Sequence, residues 1–152
     1  MTKQPPMDEA PFRIDPRLEA DSLPLVDLPL CTVRLMNDQR FPWLLLIPRR
    51  PGMAEVLDLS EFDQQQLWFE MRRAAAVLDT LFAPDKLNLA ALGNQVRQLH
   101  VHVLGRFESD AAWPGPVWGA GKAVPYAASA AESMVAQLRS ELVAIKVADA
   151  GL

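Results

Sequence analysis

Two histidines are all that this 152-residue chain contains, and they stand two positions apart, His100 and His102. Gln98 precedes them at the same spacing, and Leu99, Val101 and Val103 occupy the positions between and after. This alternation predicts a strand over residues 96–106 with one face toward a core. Successive strand side chains point to opposite faces, so Gln98, His100 and His102 are expected in one row with the aliphatics behind. Imidazole changes charge near neutral pH, so this pair admits three roles. Both rings can be ordinary half-buried strand residues. They can give two ligands to zinc, but a closed site needs two more and a catalytic site at least one. No third histidine exists, and Cys31 is the single cysteine. The remaining role is nucleophilic: a neutral imidazole attacks phosphorus while the second polar group orients it or assists the leaving group. Charge on the phosphate oxygens then needs donors, and Asn94, Arg97 and Arg106 flank the row. Both histidines falling on one strand face favours this third role.

The elements that must hold the row follow from patterning. Residues 30–36 alternate and predict a strand; residues 43–48, Trp-Leu-Leu-Leu-Ile-Pro, form a continuous apolar run suited to a central strand. Asn37 to Arg40 supply the turn between them, giving an antiparallel hairpin. Ser60 starts a helix over 61–82, with Leu67, Met71, Ala74, Leu78 and Leu81 at helical spacing. A strand follows over 87–92, and Gly93-Asn94 is a tight-turn signal before the histidine strand. Asp15-Pro16 opens a short helix to about Ala20. Phe12 to Ile14 is expected as a short strand, and the prolines at 24 and 29 predict an irregular extended stretch. Past Arg106, Trp113 and Trp118 in a Pro/Gly-fixed segment are expected to anchor the tail or to meet a partner, the anchor being favoured. An alanine-rich C-terminal helix is predicted over 126–147, with Met134, Leu138, Leu142 and Ile145 on one stripe. The domain plan is a loose arm over 1–11, a domain over 12–120, and a mostly helical extension over 121–152.

Composition limits the function classes. Half the residues are hydrophobic and 22% are charged, which fits one globular domain with its own core. A formal net charge of -4 argues against a general nucleic-acid binder, which needs a basic face. No run approaches about 18 apolar residues, so no membrane span is expected. The N-terminal residues carry no apolar signal core, and a lone cysteine fits a reducing compartment; the expected location is the cytoplasm.

The run Gln98-Leu99-His100-Val101-His102-Val103-Leu104 resembles the histidine triad (HIT) signature, in which three histidines alternate with hydrophobic residues. Leu35-Met36-Asn37, the 43–48 strand and Arg49-Arg50 resemble the family's nucleotide-pocket hairpin, and the similarity covers roughly residues 26–119. The resemblance implies an α+β, HIT-like fold: a five-stranded antiparallel sheet with one long helix packed on it, here followed by a C-terminal helix. It implies a homodimer with a continuous ten-stranded sheet. It also implies a nucleotidyl hydrolase or transferase acting on a purine nucleoside phosphate derivative, either a dinucleoside polyphosphate or a nucleoside phosphoramidate. His100 falls on the residue that forms the nucleotidyl-histidine intermediate, and His102 on the position near the phosphates. Asn37 falls on the ribose-binding position, Leu35 lies beside it in the pocket hairpin, and Asn94 falls near the phosphates. No cofactor is required on this view, although Mg²⁺ can accompany a polyphosphate. Two departures stand out. Gln98 replaces the first motif histidine and cannot titrate, and Trp43 stands where the family often has histidine, which weakens a zinc site. The alternative reading is a nucleotide-binding regulatory module with little or no catalysis.

Overall fold

The computed structural model describes residues 11–149, with the side chains of the last five left aside. The arm expected over 1–11 lies outside that range apart from Pro11, and so does the Ile145 side chain. Five strands form one sheet in the order β1-β2-β3-β5-β4: β1 Ser22–Asp27, β2 Cys31–Met36, β3 Trp43–Pro48, β4 Lys86–Ala91 and β5 Val101–Arg106. Every neighbouring pair is antiparallel. Three helices accompany it: α1 Pro16–Ala20, α2 Glu61–Phe82 and α3 Ala128–Asp149.

Local chemistry sets the helix ends. The Asp15 side chain accepts from the Arg17 backbone N, and proline occupies the first helical position of α1. Ser60 caps α2 by accepting from Asp63 N at 3.1 Å. At its far end Ala83 takes a left-handed conformation, φ 44°, just before Pro84. The helix spans the predicted residues because cap, apolar stripe and terminating proline all agree.

The two sheet faces have different tasks. Val33, Leu35, Leu44, Leu46, Val101 and Val103 point into the main core, where α2 gives Leu67, Ala74 and Leu78. The C-terminal helix adds Leu138 and Leu142 to the same core, with Met134 packed against it. A buried carboxylate locks α2 to the sheet: Glu70, 0% exposed, accepts from Leu30 N at 2.7 Å and Cys31 N at 2.8 Å. The opposite face is covered more thinly. Leu18 of α1 packs on Leu45 and Ile47, while Phe41, Trp43 and Leu104 pack with Val117 from the segment after β5.

Three local expectations need correction. The stretch around Pro24 is not irregular but forms β1, an edge strand whose register shifts between Pro24 and Val26. Proline is tolerated there because an edge strand leaves one row of N–H groups without a ladder partner. Phe12 to Ile14 join no strand; Arg13 O instead accepts from the Gln98 side chain. The histidine strand starts at Val101 rather than at residue 96, and residues 92–100 are a connection, not a tight turn at Gly93-Asn94. Leu99 N in this connection donates to Met53 O, outside the sheet ladder.

Replacing Glu70 with alanine strands the Leu30 and Cys31 N–H groups in the core, each at about 1–3 kcal/mol. Glu70→Ala is therefore expected to lower the urea midpoint sharply, by about 2–4 kcal/mol of stability. Glu70→Gln, which keeps one acceptor oxygen, should lose less.

Candidate active site

β5 crosses the sheet between β3 and β4, and its pleat sends Val101 and Val103 into the core and His102, Leu104 and Arg106 to the opposite face. His100 lies one step before the strand, and both histidines are buried, at 5% and 4% exposure. Their rings meet edge to face with centroids 5.0 Å apart. They border a cleft of about 540 Å³ on the thinly covered face, lined also by Leu18, Asn37, Trp43, Asn94 and Trp118. A smaller cleft of about 250 Å³, bordered by Arg97, Gln98 and Glu55, meets it at Asn94 and His100.

Each ring is held in one tautomer. His100 Nδ1 lies 2.6 Å from the Gln98 backbone carbonyl oxygen. A carbonyl only accepts, so the proton sits on Nδ1 and the lone pair on Nε2. His102 has the reverse arrangement. Its Nδ1 lies 3.0 Å from the Trp43 indole N–H, which only donates. His102 therefore carries its proton on Nε2. Burial pushes the His102 pKa down to about 4, the neighbouring His100 adds to the shift, and a bond to the Leu92 carbonyl opposes it. Trp118 packs on His102 from the other side at 5.0 Å and meets Trp43 edge to face at 6.3 Å.

The cleft wall is held by a polar turn. Asp38, 1% exposed, accepts from Arg40 Nε at 2.9 Å and from Arg40 Nη2 at 2.8 Å. Arg40 Nη1 reaches across to Ala120 O at 2.6 Å, and Gln39 N donates to Val124 O at 2.7 Å. These bonds tie residues 117–126 over the sheet face and bring Trp118 to the histidines. Asn37 borders the cleft in the same wall, its Oδ1 accepting from Tyr126 N at 2.9 Å.

Four of the six expected site residues thus come together at the main cleft: His100, His102, Asn37 and Asn94. Gln98 does not join their row. Because the strand begins only at Val101, the period of two does not extend back to it. Its Oε1 accepts from Asp15 N at 2.8 Å and its Nε2 donates to Arg13 O at 2.7 Å, so it fastens the N-terminal segment. What Gln98 gives the site is its backbone carbonyl. Leu35 is also displaced: it is 0% exposed in the core on the other sheet face, because odd positions of β2 point toward α2. Arg106 is not a free donor either. It is 2% exposed and bonds Asp110 through Nε at 2.7 Å, Asn88 through Nη1 and Gly115 O through Nη2. The Arg106 side chain holds the Asp110 carboxyl down at about 2. The sequence reading missed Trp118 as a cleft residue and Trp43 as the partner of His102. Trp43 was visible only as an oddity of position, and Trp118 lies 16 residues beyond His102 with no period linking them.

A HIT domain family model matches residues 17–109 of the chain. The chain belongs to the HIT family. Three solved histidine triad proteins resemble it over nearly their full lengths. A histidine triad protein from Bradyrhizobium japonicum is 42% identical, with 88% of this chain and 99% of that one covered and a TM-score of 0.85. One from Sinorhizobium meliloti is 48% identical, covering 86% and 96% at a TM-score of 0.83. One from Marinobacter aquaeolei is 44% identical, covering 88% and 97% at 0.85. No functionally curated protein matches the chain. In this HIT protein the family match stops before residue 110, so Trp118 reaches the cleft from outside the matched region. Among the described residues no group of three or more His, Cys, Asp or Glu is arranged to hold a metal ion. No helix among them is long and apolar enough to cross a membrane.

The His102 arrangement carries a pH signature. Its folded pKa, about 4, lies below the ordinary 6.5, so the unfolded chain takes up the proton first on acidification. Stability is fully present above pH 6.5 and lost as pH falls toward 4, on the order of 2–4 kcal/mol. Urea unfolding at pH 7 and pH 4.5 should show this loss in the wild type and a smaller one in His102→Gln.

Proposed function

We propose that this HIT protein is a nucleotidyl hydrolase or transferase that acts on a purine nucleoside phosphate derivative through His100. The observation that carries the reading is the bond from His100 Nδ1–H to the Gln98 carbonyl, which leaves the Nε2 lone pair at the cleft. In the first step that lone pair attacks the phosphorus of the nucleotidyl group. The Nε2–P bond forms, the bond to the leaving group breaks, and its electron pair departs with the leaving atom. The positive charge left on the ring is shared with Nδ1–H, whose carbonyl partner stabilises it. In the second step water attacks the same phosphorus, the P–N bond returns its pair to Nε2, and the water proton passes to solvent. The cleft volume of about 540 Å³ suits a mononucleotide. Asn37, in its wall, serves the ribose, and Asn94, at the junction of the two clefts, serves the phosphate. No metal is needed for these steps; Mg²⁺ would arrive with a polyphosphate substrate and shield its charge.

We further propose a homodimer through β4. This strand is a sheet edge, and an open edge leaves backbone donors and acceptors unpaired. At this edge stand apolar side chains turned to solvent: Leu89 on the strand at 40% exposure and Trp68 of α2 beside it at 61%. Antiparallel pairing of two such edges gives one ten-stranded sheet and covers these groups.

Incubation with diadenosine tetraphosphate and with an adenosine phosphoramidate tests the reaction. Turnover of at least one is expected, with a nucleotidylated protein trapped on acid quench, and His100→Ala should lose about 10³-fold or more in kcat. Equal turnover by the variant, or tight mononucleotide binding by calorimetry without any turnover, would overturn the enzyme reading. Sedimentation should show a dimer for the wild type and a monomer for Trp68→Glu combined with Leu89→Lys.

A further inference from the structure

We propose that Trp43 deprives the site of a general acid by holding His102 as a neutral imidazole, so that the enzyme cleaves phosphoric anhydrides in preference to phosphoramidates. The inference rests on the nucleotidyl-transfer reading above and narrows its substrate class. Trp43 acts here as a positioning residue, through His102.

The Trp43 indole N–H points at His102 Nδ1 from 3.0 Å. An indole nitrogen has no lone pair to offer in the ring plane, so it cannot accept. Protonating His102 would set two N–H groups against each other in a buried contact and lose the bond. Of the other groups packed on the ring, the Leu92 carbonyl alone favours the cation, and burial with His100 outweighs it. On β5 the neighbour is His100, from the segment after β5 it is the Trp118 ring, and from the connection before β5 it is the Leu92 carbonyl. No carboxylate is among them, whereas a histidine meant to carry charge is commonly paired with one. Burial and the neighbouring His100 push the His102 pKa down in the same direction as the Trp43 contact.

No other side chain at the cleft is placed to deliver a proton. His100 is the nucleophile. Gln98 cannot titrate, and its amide is bonded to Asp15 N and Arg13 O. Asp38 is buried, which opposes its ionisation, but bonds from Arg40 and from backbone amides hold its carboxyl below the ordinary range. Arg40 is its ion-pair partner. Glu55, in the smaller cleft, has its side chain engaged by the backbone of the 3-10 turn at Val56–Asp58. Asp21 borders the cleft at the end of α1, beside β1. β1 is separated from β5 by three strand spacings, about 14 Å.

Leaving groups differ in what they require. When the P–O bond of an anhydride breaks, the electron pair leaves on a phosphate oxygen, a stable anion at neutral pH that needs no proton. When a P–N bond breaks, the pair leaves on nitrogen, and the amine departs only if a proton reaches that nitrogen as the bond breaks. A positioned acid contributes about 10²–10⁴-fold to such a step. With His102 held neutral, its Nε2–H can donate a hydrogen bond but does not surrender the proton, so the phosphoramidate reaction forgoes that factor.

Steady-state kinetics on the full chain, with diadenosine tetraphosphate and an adenosine N-alkyl phosphoramidate, tests the preference on a common adenylyl group. The expected kcat/KM favours the anhydride by about 100-fold or more. Equal or better cleavage of the phosphoramidate, with the anhydride also turned over, would overturn this inference and leave the nucleotidyl-transfer reading standing. Silence toward both substrates would instead overturn that reading, and the preference with it. Nitrogen-15 NMR of the histidines reports the lock without turnover: at pH 6, wild-type His102 should be neutral with its proton on Nε2. An imidazolium there, or a proton on Nδ1, would overturn the inference. Trp43→Phe should let the imidazolium appear at pH 6 and cut the substrate preference about tenfold or more, with phosphoramidate turnover rising on acidification. An unchanged His102 signal and preference in that variant would count against the role of Trp43.

Discussion

The pairing of β5 with β3 is the constraint from which the rest of the site follows. Leu45 stands opposite His102 and Trp43 opposite Leu104, so Trp43 and His102 are diagonal neighbours on one face. Diagonal side chains are within reach when one is large and aromatic. A one-residue slip would turn the whole β5 set over, placing histidines in the core and valines in the cleft. Burial of Val101 and Val103 against α2 makes that slip costly, and close packing at Gly105 opposes it too. A Cβ there would come within 3.0 Å of Pro42 and 3.2 Å of Pro84.

That register leaves a polar row on a face that must still be shielded from water. The chain does this with the segment after β5. Arg106 and Asp110, both almost wholly buried, form its root: Asp110 also accepts from the backbone N of Phe107, Ala112 and Trp113. Further on, the Asp38–Arg40 turn grips Ala120 and Val124. Between these two attachments Val117 and Trp118 settle on Trp43, His102 and Leu104. The enclosure shuts the His102 ring away from water, and desolvation disfavours charge on a buried imidazole. The same side chains that build the cleft therefore set the protonation of one of its histidines.

The two histidines thus differ although they are neighbours in type, spacing and burial. His100 takes its orientation from a main-chain carbonyl two residues back, a partner that any residue at position 98 supplies. His102 takes its orientation from a side chain 59 positions away in the sequence. A local partner and a distant one give opposite tautomers: one ring keeps its lone pair on Nε2, the other its proton.

Much of the fold is legible in the residues alone. α2 and β3 have the expected bounds, since a capped amphipathic stripe and a six-residue apolar run each admit one reading. β1 was hidden because proline argues against a strand until its place at the sheet edge is known. In the site, the alternation pointed to His100 and His102, which the structure brings together at one cleft. It extended one step too far to Gln98, because a period of two does not say where pairing ends. Leu35 and Asn37 share the strand end, but only the sheet decides which faces the core and which the cleft. The sequence by itself determined the elements and the two imidazoles, because periodicity and capping act over a few residues. Tertiary structure decided the tautomers, the engagement of Gln98 and Arg106, and the arrival of Trp118. These depend on contacts between residues far apart in the chain, and no local pattern encodes a partner at that distance.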